Sequence, residues 1–274
     1  MSKLATILGV LIGTIMLLVS MVDPKNLTFI DAFFNWQGLA VVLGGTFAAV
    51  LVNYPLNQVG CVFSGFFRVF SAEVKSTDEL IQQLVELSHV AKSQGVLKLE
   101  HFVEDIKDEF MRNAINDLLI YGRKDELKLS LEQRIVSMRY RQYQCHEVYM
   151  NMASYAPAFG MMGTVMGLII MMTSQGAAPI DPFDMNASQD VLSSLLSGMG
   201  LALVTTFYGV VFANFVFMPI AGKLKVLSDE ETMRCEMIMQ GIISINEQVS
   251  PLVVKEKLLT FVTDKQRERL QDLR

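Results

Sequence analysis

The chain has 274 residues, of which 51% are hydrophobic and only 19% charged, where soluble domains are nearer a quarter charged. Its 23 basic and 28 acidic residues leave a net charge of −5 with no basic stripe, which argues against a nucleic-acid binder. The charges are also unevenly spread: residues 4–22, 32–67, 148–180 and 191–222 contain no Asp, Glu, Lys or Arg, which argues against a soluble enzyme. A membrane helix needs about 20 apolar residues, so these are four candidate spans.

The first stretch begins at residue 4 with a single preceding Lys3 and no Ala-x-Ala before Asp23. It reads as an uncleaved first helix and not as a removed leader. Twelve of the 23 Lys and Arg lie between the second and third stretches, nine follow residue 222, and the connection 173–190 has none. The positive-inside rule therefore predicts both termini and the long insert on the cytoplasmic side, with two short connections facing outward.

Between spans two and three, residues 56–70 are rich in Phe and Val and read as an interfacial helix. Ser76-Thr-Asp-Glu79 is a capping-box pattern, followed by Leu80, Leu84, Leu87 and Ala91 at helical spacing up to Gly95. Leu99, Phe102, Val103, Ile106, Phe110 and Leu118 predict one further helix ending near Gly122. A third helix starts near Asp125, meets no breaker before Pro157 and runs on into span three. Leu224, Leu227, Ile238, Ile242 and Ile245 extend span four beyond the membrane, and Ser250-Pro251 opens a short last helix.

These readings combine into an all-α polytopic membrane protein. Residues 1–55 form membrane helices 1 and 2, and 56–147 a helical cytoplasmic insert. Residues 148–222 form helices 3 and 4, and 223–274 a cytoplasmic helical tail.

The chain lacks a Gly-rich phosphate loop, an HExxH and any arrangement suited to nucleophilic catalysis. His89, His101 and His146 share no ligand spacing and read as solvated, so neither metal nor organic cofactor is expected. Cys61, Cys145 and Cys235 stand far apart in sequence without a CxxC, as free thiols of a reducing compartment. Ion carriers usually place an ionisable side chain near mid-membrane. None is available in these four spans, so a carboxylate for ion movement must come from another chain.

Small residues recur every three or four positions in span three (Ala153, Ala156, Gly160, Gly163/Thr164, Gly167) and in span four (Ser194, Gly198, Ala202, Thr205/Thr206, Gly209, Ala213). They permit close helix packing, or form a smooth wall for a partner helix with hydroxyls from Thr164, Thr205 and Thr206. Those hydroxyls either serve an ion path or bond their own backbone. Pro157 and Pro219, near the cytoplasmic ends of spans three and four, are passive kinks or a hinge.

Ala156-Pro-Ala-Phe-Gly-Met-Met-Gly-Thr-Val-Met-Gly-Leu168, Val41-Val-Leu-Gly-Gly-Thr46, Ala202-Leu-Val-Thr-Thr-Phe-Tyr-Gly209 and Pro219-Ile220 resemble the span motifs of flagellar stator A subunits, the MotA/PomA family. The resemblance covers the whole chain. It implies a homo-oligomeric ring, a pentamer, in the bacterial inner membrane lipid. The ring surrounds helices of a MotB/PomB-like B subunit that supplies a membrane Asp, and no nucleic acid is involved. It also implies ion flow that turns the rotor switch protein FliG. Lys92 and Glu100 fall at family rotor-contact positions, and His101 stands where some relatives have a second acid. Asn35 replaces an Asp found in many relatives at the mouth of span two. Thr164 and Thr206 resemble the sodium-driven type, with protons as the alternative ion. An energiser of the ExbB/TolQ type and a non-transporting membrane scaffold are the rival readings. Residues 4–22 favour the stator, because those energisers usually lack the first pair of spans.

Overall fold

A computed structural model describes residues 2–22, 33–71, 76–176, 185–262, 264, 267 and 268. Among them every regular element is helical and no β-strand occurs. The short connections expected to face outward lie largely outside the described residues. Among the described residues three helices are long and apolar enough to cross a membrane, Trp36–Asn53, Lys124–Thr173 and Leu195–Asn246, and Ile7–Ser20 is a shorter apolar helix. Only 22% of the most apolar window is buried within the chain in each of the first two, and 33% in the third. Most of that apolar surface is therefore left uncovered by the chain itself.

The chain divides into two units. The first comprises Met1–Ala72 and Gln144–Leu224. It contains α1 (Ser2–Ser20), α2 (Trp36–Asn53), α3 (Leu56–Val59) and α4 (Cys61–Ser71). It also takes in the C-terminal part of α8 (Lys124–Gly176) and the first part of α9, a helical run over 185–246. Its core gathers Val42, Val50, Val62, Val148, Tyr149, Met152, Ala156, Phe217 and Leu224. Two π-helical turns interrupt this unit, Ala40–Gly44 in α2 and Phe212–Phe217 in α9. The second turn precedes Pro219, which has no N–H to offer the carbonyl one turn back, and a π turn is one way a helix absorbs such a lost bond. At Pro157, by contrast, α8 stays helical throughout.

The second unit comprises Glu73–Tyr143 and Lys225–Arg274. It holds α5 (Thr77–Gln94), α6 (Glu100–Val103), α7 (Glu109–Ile120), the start of α8, the end of α9 and α10 (Pro251–Leu258). Ser76 Oγ accepts the Glu79 N–H at 3.4 Å, the expected N-cap, and Gly95 ends α5 with φ +89°. Leu80, Ile81, Leu84, Leu99, Met111, Ile115, Leu127, Leu131, Ile238 and Ile242 form its core.

One expectation fails here. The single helix read across Leu99–Leu118 is a 3₁₀ turn Val96–Leu99, the short α6, a break, and α7. Asp108 causes the break. Its backbone is extended and its Oδ1 accepts the Met111 N–H at 3.0 Å, so a new helix starts at Glu109. Asp108 Oδ2 also pairs with Arg234 of α9 at 2.6 Å. A second buried carboxylate, Asp117, takes two bonds from Arg134 at 2.7 and 2.8 Å and one from Ser130 at 2.9 Å. Apolar periodicity runs through the Asp108 break unchanged, which is why the pattern alone missed it.

Candidate functional site

In the first unit the two small-residue stripes lie against each other. A Cβ placed on Gly160 would sit 3.0 Å from the Thr205 carbonyl oxygen and 3.3 Å from Gly209 Cα. One on Gly209 would sit 2.7 Å from the Ala156 oxygen and 3.1 Å from Pro157 Cα. One on Gly167 would sit 2.8 Å from the Gly198 oxygen, and one on Gly198 3.1 Å from the Gly167 oxygen. Gly163 receives the side chain of Thr205. Backbone therefore meets backbone along α8 and α9, a contact that apolar side chains would hold apart.

The remaining helices join through the same device. Gly13 of α1 takes the ring of Phe215, and Gly45 of α2 takes the ring of Phe159. A Cβ on Gly38, in the first turn of α2, would lie 3.0 Å from Thr205 Cγ2 and 3.7 Å from the Tyr208 ring.

The three threonines separate in role. Thr205 is fully buried and fills the notch at Gly163, so it packs the seam, although the motif grouped it with the other two. Thr164 and Thr206 are half-buried. Thr164 Oγ donates to the Met161 carbonyl at 2.6 Å, Thr205 Oγ to Ala202 at 2.9 Å and Thr206 Oγ to Ala202 at 3.4 Å. All three hydroxyl protons are thus committed to their own helix, which leaves the oxygen lone pairs as acceptors. Thr206 Cα lies beside Gly160, and Thr164 stands four residues beyond Gly160. At 1.5 Å per residue the two partly exposed hydroxyls are offset by about 6 Å along the seam.

Both prolines lie inside the first unit, whose boundaries cross α8 at Tyr143/Gln144 and α9 at Leu224/Lys225. Pro157 is packed against the notch at Gly209, while Pro219 is exposed.

At the mouth of α2, Asn35 is the N-cap, with Oδ1 accepting the Gly38 N–H at 3.0 Å. Its own backbone N–H donates to Tyr208 Oη at 3.0 Å, and Tyr208 Oη donates to the Phe33 carbonyl. Phe33 and Phe207 add an edge-to-face contact with centroids 5.6 Å apart. Asn caps a helix as well as Asp does. Asn35 therefore caps the first turn of α2 without bringing a charge.

At the other end of the first unit a polar belt ties α2, α4 and α8. Asn53 Nδ2 donates to Tyr155 Oη at 3.2 Å, Asn151 Nδ2 to Tyr54 Oη, and Tyr149 Oη to the Val62 carbonyl. Cys145 Sγ reaches the Cys61 carbonyl at 3.2 Å. Two of the three cysteines thus meet despite their separation in sequence. His146, expected on a solvated face, is half-buried with Nδ1 at 2.9 Å from the Ala221 carbonyl. Tertiary contacts of this kind leave no signal in local spacing.

In the second unit Lys92 closes α5 and Glu100 opens α6, and both are exposed. The positive φ of Gly95 and the 3₁₀ turn set them on either side of one corner, with Leu97 78% exposed and Leu99 fully buried. Among the described residues no cluster of His, Cys, Asp and Glu could hold a metal.

The stretches that form the seam, 148–180 and 191–222, carry no Asp, Glu, Lys or Arg. The site is a charge-free helical seam with two acceptor oxygens, continued by long helices into a charged helical unit. The description "MotA/TolQ/ExbB proton channel family" matches residues 103–237. That family comprises channel components and not enzymes. Motility protein A of Treponema pallidum (strain Nichols) is 32% identical over 238 residues, covering 87% of this chain and 86% of its own. Chemotaxis protein PomA of Vibrio alginolyticus is 29% identical over 265 residues, covering 96% and 97%. In structure, the flagellar MotAB stator complex from Bacillus subtilis contains a chain that superposes with a TM-score of 0.81. Its identity is 24%, over 96% of this chain and 97% of that one. Similarity at this level over most of the chain fixes its lineage, and the chain belongs to the MotA/PomA family.

Proposed function

We propose that this protein is the A subunit of an ion-driven flagellar stator in the bacterial inner membrane, converting ion flow into torque on the rotor. The observation that carries this reading is the pairing of a carboxylate-free, glycine-packed membrane seam with a full-length likeness to motility protein A. In this reading α1 is the first of four spans and both termini are cytoplasmic. The functional division is 1–55, 56–147, 148–222 and 223–274. Five copies enclose helices of a B subunit, whose membrane Asp supplies the carboxylate that this chain lacks. Lys92 and Glu100 at the exposed corner push the rotor protein FliG. Pro157 and Pro219 serve as the points about which α8 and α9 bend during a cycle.

The ion in this reading is sodium. Sodium must replace several water oxygens, whereas a proton needs only the carboxylate. Thr164 and Thr206 supply oxygens whose protons are already turned into their own helices, so their lone pairs are free to face a cation. Thr205 stands behind them and holds the wall in place. Cells carrying this chain and its B subunit should lose rotation in sodium-free medium at fixed pH, and Thr164→Ala should raise the sodium requirement. Wild-type rotation that persists without sodium and collapses with a protonophore would make protons the coupling ion.

A further inference from the structure

Tyr208 carries a contact that no span motif explains. Its hydroxyl accepts the Asn35 N–H at 3.0 Å and donates to the Phe33 carbonyl. Both partners are backbone groups, and both precede the first turn of α2. The Asn35 side chain is already engaged in capping at Gly38, so the tyrosine hydroxyl is what fixes the position of the cap itself. The first turn of α2 then seats on α9 through Gly38, where Thr205 Cγ2, Leu201 Cδ1 and the Tyr208 ring would lie 3.0, 3.6 and 3.7 Å from an added Cβ. One short segment of α9, Leu201–Tyr208, therefore holds the mouth of α2 and carries Thr205 and Thr206.

We propose that Tyr208 is a positioning residue for ion access. It latches the mouth of α2 to the threonine segment of α9, so that the mouth and the wall keep one register. The inference rests on the stator reading above. Tyr208 does not touch the ion. Loss of its hydroxyl leaves two part-buried backbone groups without this partner and lets the mouth drift relative to Thr206. Such a change slows ion access most when the ion is scarce and is masked when it is plentiful. A general loss of folding would instead lower the number of working motors at every ion concentration.

The test is rotation speed against external sodium at fixed pH, or against external pH if protons drive the motor. It uses the full chain with its B subunit, with a fluorescent tag to count stators at each motor. Tyr208→Phe should raise the half-saturating ion concentration roughly five- to thirtyfold, the range set by losing one or two ordinary hydrogen bonds. Speed at saturating ion should stay near wild type. Gly38→Ala keeps the hydroxyl but pushes α2 off Thr205, and should shift the half-saturating concentration in the same direction; it decides the matter if Tyr208→Phe does not assemble. An unchanged half-saturation, or a lower maximum speed at unchanged half-saturation, overturns the proposal. Absence of ion-dependent rotation in the wild type would instead overturn the stator reading.

Discussion

Asp108 does two jobs that substitution can separate. Its Oδ1 caps α7 through the Met111 N–H, and its Oδ2 pairs with Arg234. Loss of a capping side chain costs about 0.5–2 kcal/mol. Loss of one hydrogen bond between charged groups costs about 1.5–3 kcal/mol. Arg234 sharpens the second figure, because its side chain is only 21% exposed and its Nε is buried without a hydrogen-bond partner among the described residues. Asp108→Asn keeps the cap and loses the charge, so it should cost about 1.5–3 kcal/mol. Asp108→Ala loses both, roughly 2–5 kcal/mol. Amide hydrogen exchange on the full chain in detergent reads the difference directly. The first turn of α7 should exchange faster in both variants, and about fivefold or more faster in Ala than in Asn, given about 1 kcal/mol for the cap. Equal exchange in the two variants would refute the cap as the cause of the break between α6 and α7.

Gly209→Ala should open the seam, since its Cβ would lie 2.7 Å from the Ala156 oxygen, and thermal stability should fall by about 1–3 kcal/mol. Gly222→Ala, with nothing within 4 Å, is the matched control and should stabilise by about 0.5–1 kcal/mol through helix propensity alone. Lys124 and Glu247 of the second unit lie 2.5 Å apart, and their bond holds the carboxyl below its ordinary range and the ammonium above its own. The carboxylate's contribution is present above about pH 4.3 and fades as pH falls through its lowered folded value. The ammonium's contribution is present below about pH 10.4 and fades as pH rises through its raised folded value. Glu247→Gln should therefore lower Tm slightly at pH 7, and the gap to wild type should close in strong acid, checked by melting curves across pH. Lys92→Glu should weaken rotation without reducing stator incorporation, and a compensating reversal on the rotor should restore speed; single exposed charges contribute only about 0–1 kcal/mol.

What could be read in the sequence, and what could not, follows from the range of the interactions. The long helix through Pro157, the Ser76 cap and the stop at Gly95 are local, so spacing and propensity reveal them. The stripes through Gly160, Gly163, Gly167, Gly198 and Gly209 are periodic, so close packing was visible, but their mutual contact was not. Periodicity could not tell Thr205, turned into the seam, from Thr206, turned partly out of it. The break at Asp108 hides inside an unbroken apolar pattern, because a cap is a single side chain. The Asn35–Tyr208 tie and the meeting of Cys145 with Cys61 span 173 and 84 residues, and no local pattern encodes either.

The most direct test of the account asks where the ion carrier resides. All four charge-free stretches of this chain lack an ionisable carboxylate. Purified protein should be placed in liposomes alone, with its B subunit, and with a B subunit whose membrane Asp is changed to Asn. Sodium and proton flux should then be recorded under an imposed gradient. Flux only in the complex with the intact Asp is the expected result. Sustained flux through this chain alone would contradict the account, because it would require a carrier that these spans do not contain.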